Sequence, residues 1–104
     1  MKILMEKTTD AKVSNTISLG NDPDYTAPAV PYTFCLSGVL AADEEITFQY
    51  FDGDNWIDMK ETGTNIVLSA DTNIVSIYAP LTIRVNKPAT ASAAGVLVAV
   101  VRGA

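Results

Sequence analysis

Short runs of alternating apolar and polar residues, separated by turn residues about every 8–12 positions, constrain the fold of this chain more than any other feature. The clearest run is 45–51, where Ile46, Phe48 and Tyr50 alternate with polar residues. Similar runs, rich in Val, Ile, Thr and aromatic residues, cover 13–19, 32–37, 56–59, 65–69, 74–79, 81–86 and 95–102. We therefore predict an all-β fold: an antiparallel β-sandwich, Ig-like or jelly-roll-like with Greek-key connections, of about seven or eight short strands.

The length and the two ends of the chain suggest the domain organisation. The 104 residues fit one domain. We expect residues 1–11 to form an extended N-terminal arm and residues 12–104 to form a single sandwich domain. The arm carries an apolar tip of Ile3, Leu4 and Met5. An apolar tip on a polar arm can order by docking on a neighbouring protein, so these three residues are candidate protein contacts.

The charge of the chain and the length of its apolar runs argue against two classes of partner. The formal net charge is −5, and the seven Lys and Arg residues are scattered singly. Nucleic-acid binding needs clustered positive charge, so we expect no nucleic-acid partner. No run approaches the ~20 apolar residues of a membrane helix, so we expect no membrane partner. The N-terminal apolar run is also too short for a secretory signal, which predicts synthesis in the cytoplasm.

The residue types needed for catalysis are largely missing. The chain has no histidine, the commonest general base and metal ligand. Its one cysteine, Cys35, lies in an apolar run and is expected to be a small buried core residue. We therefore expect no enzyme activity, no catalytic residues, no resident metal and no cofactor. One alternative stays open, because Asp52, Asp54 and Asp58 surround the turn at Gly53 and could either hold a cation weakly or form a solvated hairpin tip.

The last predicted strand, 95–101, is apolar on both faces. Such a strand needs both faces covered, and left open it would promote aggregation. Either the N-terminal arm covers it or its outer face packs on another chain. A chain of this length has little polypeptide to spare for covering, which favours an intermolecular contact through Val96, Val98 and Val100.

Two aromatic residues bracket the predicted hairpin, Tyr50 before the turn and Trp56 after it. One interpretation is that they cover an end of the sandwich core. The other is that they form an exposed pair that stacks on a sugar or docks on a protein. Both remain candidate surface-contact aromatics.

Part of the chain resembles small virion proteins of tailed bacteriophages, a class that includes capsid decoration (cement) proteins and head or tail accessory proteins. The resemblance spans about residues 32–101. It rests on a Gly-x-x-Trp hairpin at 53–56, on Gly63, on a strand at 78–87 that ends Arg-Val-Asn-Lys, and on a final Gly-Val strand at 95–98. One departure is Ala79 before Pro80, where glycine is expected.

The resemblance implies a β-sandwich displayed as a homo-oligomer, a dimer or a trimer, on the capsid surface of a virion, where it binds and stabilises neighbouring capsid subunits. Its partner would be the major capsid protein or another virion protein, and Arg84 would support the fold. The alternative function is a carbohydrate-binding or adhesive β-sandwich module, such as a tail or fibre accessory, that uses Tyr50 and Trp56.

Overall fold

The structure, a computed structural model, describes residues 2–18, 32–77 and 82–100, with the side chains of all but Lys2, Ser18 and Val100. These ranges contain twelve strands and no helix, and so no helix that could span a membrane. The strands are β1 Lys2–Thr8, β2 Lys12–Val13, β3 Ile17–Ser18, β4 Tyr32–Gly38, β5 Glu45–Phe51, β6 Trp56–Asp58, β7 Lys60–Glu61, β8 Thr64–Asn65, β9 Val67–Ser69, β10 Ile74–Ile77, β11 Thr82–Lys87 and β12 Ala94–Val100. The predicted all-β class is confirmed.

The strands form two main antiparallel sheets. Sheet A has the order β1-β12-β4-β10. Sheet B has the order β2-β11-β5-β6, with β3 also on β11 and β9 also on β5. A separate hairpin joins β7 to β8. The two sheets pack against each other around one core, as in a β-sandwich.

The core forms because alternate side chains of each strand point inward. On β5 the buried residues are Ile46 and Phe48, and on β4 they are Tyr32 and Phe34. Phe34 and Phe48 meet edge to face across the two sheets, with ring centroids 5.2 Å apart. The inward faces that the alternation predicts for 32–36, 45–51 and 82–86 are therefore confirmed for these strands.

The N-terminal segment differs from the expected arm, because residues 2–8 form strand β1 at one edge of sheet A. β1 pairs with β12, with Ile3 opposite Leu97 and Met5 opposite Val96. A bulge lies between Ile3 and Met5 and breaks the alternation, so that Leu4 and Met5 are both buried while Ile3 is 52% exposed. The expectation that Leu4 and Met5 lie on a free arm is corrected: they belong to the core of this chain.

Gly95 allows β1 to lie close against β12. A Cβ atom at this position would clash with the Met5 carbonyl oxygen and would lie 2.8 Å from the Glu6 carbonyl carbon and 2.9 Å from the Lys7 nitrogen. All three are backbone atoms, so the clash could be relieved only by moving β1. A second bulge between Met5 and Thr8 falls at the same place.

The predicted strand at 13–19 is interrupted at Ser14. The Ser14 N–H donates to the Val85 carbonyl at 2.9 Å, and the Ser14 hydroxyl accepts a hydrogen bond from the Val85 N–H, also at 2.9 Å. The side chain thus takes the place of a backbone carbonyl in the ladder. The run becomes two short strands, β2 and β3. Val13 is exposed on the outer face opposite Asn86, whereas Ser14 and Ile17 are buried.

The carboxylate of Glu44 connects two loops through hydrogen bonds. Its Oε1 accepts a hydrogen bond from the Ala41 N–H at 2.8 Å, and its Oε2 accepts one from the Ala91 N–H at 2.9 Å. These two bonds lower the pKa of Glu44 below its ordinary value, the bond from Ala41 contributing most. Glu44 therefore joins the loop before β5 to the loop between β11 and β12.

Lys87 is the one charged side chain in the buried set of the described residues. Its ammonium donates to the carbonyl oxygens of Asp10 at 2.9 Å and Pro88 at 3.0 Å. Burial lowers the pKa of Lys87, and the Glu44 and Asp10 carboxylates partly offset that shift. The side chain ties the turn after β1 to the end of β11.

Several sequence predictions fall outside the described residues. They are the end of the first predicted strand at 19, the continuation of β10 into 78 and 79, the predicted start of the next strand at 81, and the end of the last strand at 101 and 102.

Replacing Gly95 by alanine tests the close approach of β1. The added methyl group meets backbone, so we expect Gly95→Ala to lower the free energy of unfolding by about 1–3 kcal/mol. The matched control is Ser37→Ala, at the position opposite Gly95 on β4, which should change stability by less than ~0.5 kcal/mol. Urea unfolding measures both. Equal midpoints for Gly95→Ala and the unmodified protein would contradict the approach seen here.

The two hydrogen bonds that Glu44 accepts should make the free energy of unfolding depend on pH. A carboxylate whose folded pKa is lowered stabilises the fold above its unfolded pKa, and that contribution is lost as the pH falls through the folded value. Glu44→Gln should therefore be less stable than the unmodified protein at pH 7, and the gap should narrow towards pH 3. Urea midpoints across this range measure the gap. Glu45→Gln is the control, since Glu45 takes no part in the two bonds, and a gap independent of pH would be the contrary result.

Candidate functional site

The outer face of sheet A carries a straight row of apolar side chains, named here the apolar row. The strand register places Ile3 opposite Leu97, Leu97 opposite Cys35, and Cys35 opposite Ile74. Opposite residues of neighbouring strands lie on the same face, about 5 Å apart. Ile3 and Ile74, at the two ends of the row, are 52% and 57% exposed.

The positions around the apolar row are small or carry hydroxyl groups. On one side lie Ala99, Thr33 and Ser76, and the two hydroxyl groups are 3.3 Å apart. On the other side lies the pair Gly95 and Ser37. None of the described outward-facing residues of β4, β10 and β12 is charged. We call this surface the uncharged face.

The directions of the side chains in sheet A correct the expectations for Val96, Val98 and Cys35. Val96 and Val98 point inward and are fully buried, so they are core residues and not a contact surface. The outward residues of β12 are instead Leu97 and Ala99, both half-buried. Cys35 was expected in the core but lies half-buried on the outer face, because Phe34 and Tyr32 occupy the inward positions of β4. The side chain of Val100 lies outside the described set.

The outer face of sheet B holds an aromatic cluster of Phe51, Trp56 and Arg84. Phe51 and Trp56 lie opposite each other on β5 and β6, with ring centroids 5.2 Å apart at an interplanar angle of 43°. The Arg84 guanidinium lies 4.3 Å from the centroid of the Trp56 ring. This distance is typical of a cation–π contact. Phe51 is 41% exposed and Trp56 is half-buried.

A chain of polar side chains continues from the aromatic cluster. The Arg84 Nε–H donates to Gln49 Oε1 at 2.9 Å, and the Gln49 amide donates from Nε2 to Asp58 Oδ1, also at 2.9 Å. Arg84, Gln49 and Asp58 lie side by side on β11, β5 and β6. The surface therefore presents an apolar platform beside an ordered row of hydrogen-bonding groups.

Tyr50 and Trp56 do not form the aromatic pair that their positions suggest. Tyr50 points inward, where it packs partly buried against the core, while Trp56 points outward. The partner of Trp56 is Phe51, which the sequence interpretation missed. The turn at 52–55 contains the signal that could have identified it, since a four-residue turn places 51 and 56 opposite each other. Nothing near Arg84 in the sequence indicates its contact with Trp56.

The carboxylates at the hairpin tip are used within the turn. Asp52 Oδ1 accepts hydrogen bonds from the Asp54 N–H at 2.8 Å and the Asn55 N–H at 2.7 Å. These bonds, the one from Asn55 first, lower the pKa of Asp52. Asp58 is engaged by Gln49 instead. The described residues contain no group of three or more carboxylate or thiol side chains placed to share a metal ion.

Comparisons with known proteins identify no relative of this chain. No protein-family model matches the chain, and neither a curated protein nor a solved structure is significantly similar to it.

Replacing Arg84 by methionine tests the aromatic cluster. Methionine keeps an unbranched apolar stem. It lacks the guanidinium that contacts Trp56 and the N–H that donates to Gln49 Oε1. We expect the free energy of unfolding to fall by about 1 kcal/mol. The single tryptophan of the chain is Trp56, so acrylamide quenching of its fluorescence should increase. Lys60→Met, which removes an exposed charge outside the cluster, is the control. Unchanged quenching in Arg84→Met would show that the guanidinium does not cover the ring.

Proposed function

We propose that this chain is a non-enzymatic structural protein of a virion, a capsid decoration (cement) protein that binds and stabilises neighbouring capsid subunits of a tailed bacteriophage. The observation that carries the proposal is the uncharged face of sheet A. The resemblance in residues 32–101 supports the same role. The partner is the major capsid protein or another virion protein, and the site of action is the capsid surface.

The contrast between the two outer faces supports contact through sheet A. The outer face of sheet B carries Glu45, Asp58 and Arg84 together with amide groups. The uncharged face carries none of these, although the chain as a whole has a net charge of −5. Charged residues are depleted at the centres of protein interfaces, because burying an unpaired charge is costly. An apolar row with a hydroxyl-rich margin fits such a centre.

The size of the uncharged face indicates how such binding would gain strength. The three strands β4, β10 and β12, spaced ~4.8 Å apart and about five residues long, cover roughly 250 Å². A standard interface buries about 800 Å² on each partner. One face therefore supports a weak contact, and several linked copies on a repetitive shell would bind much more tightly. A homo-oligomer, dimer or trimer, fits this requirement.

The first experiment is the copy number of the protein in purified particles, measured by mass spectrometry relative to the major shell protein. A ratio comparable with the shell protein is expected for a decoration protein. A handful of copies for each particle would assign it to a tail, neck or fibre. Complete absence from particles would overturn the virion proposal.

A charge placed on the uncharged face tests the contact surface. Ile3→Glu should weaken rebinding to particles stripped of the protein by about tenfold, since the new carboxylate would be buried without a partner. The matched control is Val39→Glu, because Val39 is 69% exposed and lies beyond the end of β4. Co-sedimentation measures the binding. Equal rebinding by both variants would remove this face from the contact.

The aromatic cluster favours a second candidate function, a carbohydrate-binding or adhesive module. Sugars stack on aromatic faces and hydrogen-bond to neighbouring planar polar groups, and Phe51, Gln49 and Asp58 offer both on one surface. A glycan array tests it, followed by a titration with each sugar that binds, in which the fluorescence of the single tryptophan is measured. Binding that is lost in Phe51→Ala would support this function, and no binding at millimolar sugar would exclude it for the sugars tested.

A further inference from the structure

An open groove of about 650 Å³ lies where the two sheets meet at the β9–β10 connection. Its apolar lining comes from Ile66, Val67 and Val75, all half-buried, and its rim carries the carboxylates Glu45, Glu61 and Asp71. We call it the β9–β10 groove. It lies at the β10 edge of sheet A, whereas Ile3 is on the strand at the opposite edge.

One wall of the β9–β10 groove is the unpaired edge of β10. β10 is an end strand of sheet A and pairs only with β4 among the described strands. The Leu36 N–H donates to the Asn73 carbonyl at 2.9 Å, and the pairing then continues with Ile74 opposite Cys35. Hydrogen-bonded pairs alternate along an antiparallel ladder, so Ile74 and Ser76 direct their backbone N–H and C=O groups away from β4.

Nothing in the described part of β10 protects this edge. Natural sheet edges are usually blunted by charged side chains, prolines or bulges. β1, the other end strand of sheet A, has three charged residues, Lys2, Glu6 and Lys7, and two bulges. β10 has the sequence Ile-Val-Ser-Ile and a regular register over all four residues. Such an edge can receive another strand through backbone hydrogen bonds.

The charge of the rim identifies the kind of strand that would bind. The lining of the β9–β10 groove includes three carboxylates and no Lys or Arg. All three carboxylate side chains are exposed. An incoming strand with Lys or Arg at alternate positions would place these near the rim, and its other side chains could contact Val75 and Val67. Four to six residues would span roughly 14–20 Å at ~3.4 Å each.

We propose that the β9–β10 groove binds an extended basic segment of a partner protein, which adds to sheet A as a strand beside β10. The proposal goes beyond the virion role and does not rest on it, because it concerns another edge of the sandwich and another kind of contact. Backbone hydrogen bonds to Ile74 and Ser76 supply the pairing. The rim carboxylates select basic segments against acidic ones.

The test is a titration of the full chain with a capped six-residue peptide of alternating lysine and valine, followed by amide chemical shifts in NMR. We expect shifts centred on Val67, Ser69, Val75 and Ser76. Two control peptides should fail to bind. One replaces lysine by glutamate, and the other carries N-methyl groups on alternate amides, which remove the donors that pair with β10.

Two kinds of variant distinguish the contribution of backbone pairing with β10 from that of the rim carboxylates. Ser76→Pro removes the N–H that points into the groove without removing a bond to β4, and it should abolish the shifts. Ser76→Ala keeps the N–H and should bind as the unmodified protein does. The triple variant Glu45→Gln, Glu61→Gln and Asp71→Asn keeps the edge intact and should weaken binding about tenfold.

The control for the triple variant neutralises exposed carboxylates elsewhere, as Glu6→Gln, Asp43→Asn and Asp54→Asn, and should bind nearly as the unmodified protein does. Three results would overturn the proposal. They are the absence of shifts at millimolar lysine peptide, equal binding of the glutamate peptide, and self-association through β10 that already occupies the groove in the free protein. The triple variant keeps the test valid if Ser76→Pro does not fold.

Discussion

The pairing of β12 with β4 on one side and β1 on the other is the interaction on which the rest of the structure depends. β12 supplies Val96 and Val98 to the centre of the core and holds β1 in the sheet. Because Gly95 has no side chain, the backbone of β1 can approach it closely, and the bulge in β1 then turns both Leu4 and Met5 inward. A segment that would otherwise be a free apolar tip thus becomes part of the core, and only Ile3 of that tip remains on the surface.

The same arrangement gives the two outer faces different chemistry. The outer face of sheet B carries charged and amide groups, of which Arg84, Gln49 and Asp58 hydrogen-bond in a row, and Arg84 also contacts Trp56 of the aromatic cluster. Sheet A has an apolar row that no described part of the chain covers. An acidic protein with one uncharged face is suited to contact through that face, while the charged remainder opposes unspecific association. The unprotected edge of β10 adds a place where a partner backbone could pair, at the opposite side of sheet A from Ile3.

Much of the fold could be predicted, since alternation along a strand needs only local sequence. The inward positions of β4, β5 and β11 follow from it directly. The position of each functional side chain was harder to predict. Tyr50 and Trp56 are close in sequence but point to opposite faces, because 51 and 56 are the paired positions around the turn. Cys35 was expected to be buried because its neighbours are apolar, but the inward positions of β4 belong to Tyr32, Phe34 and Leu36.

The sequence by itself determined the all-β class, the approximate strands, the absence of histidine chemistry and the acidic charge. Each of these depends on residue type or on a period of two residues, which are local properties. Only the tertiary structure decided that residues 2–8 form a strand, that Ile3, Leu97, Cys35 and Ile74 form one row, and that Arg84 covers Trp56. These features depend on which strands are neighbours and in which register, and that choice is made by packing between residues far apart in the chain.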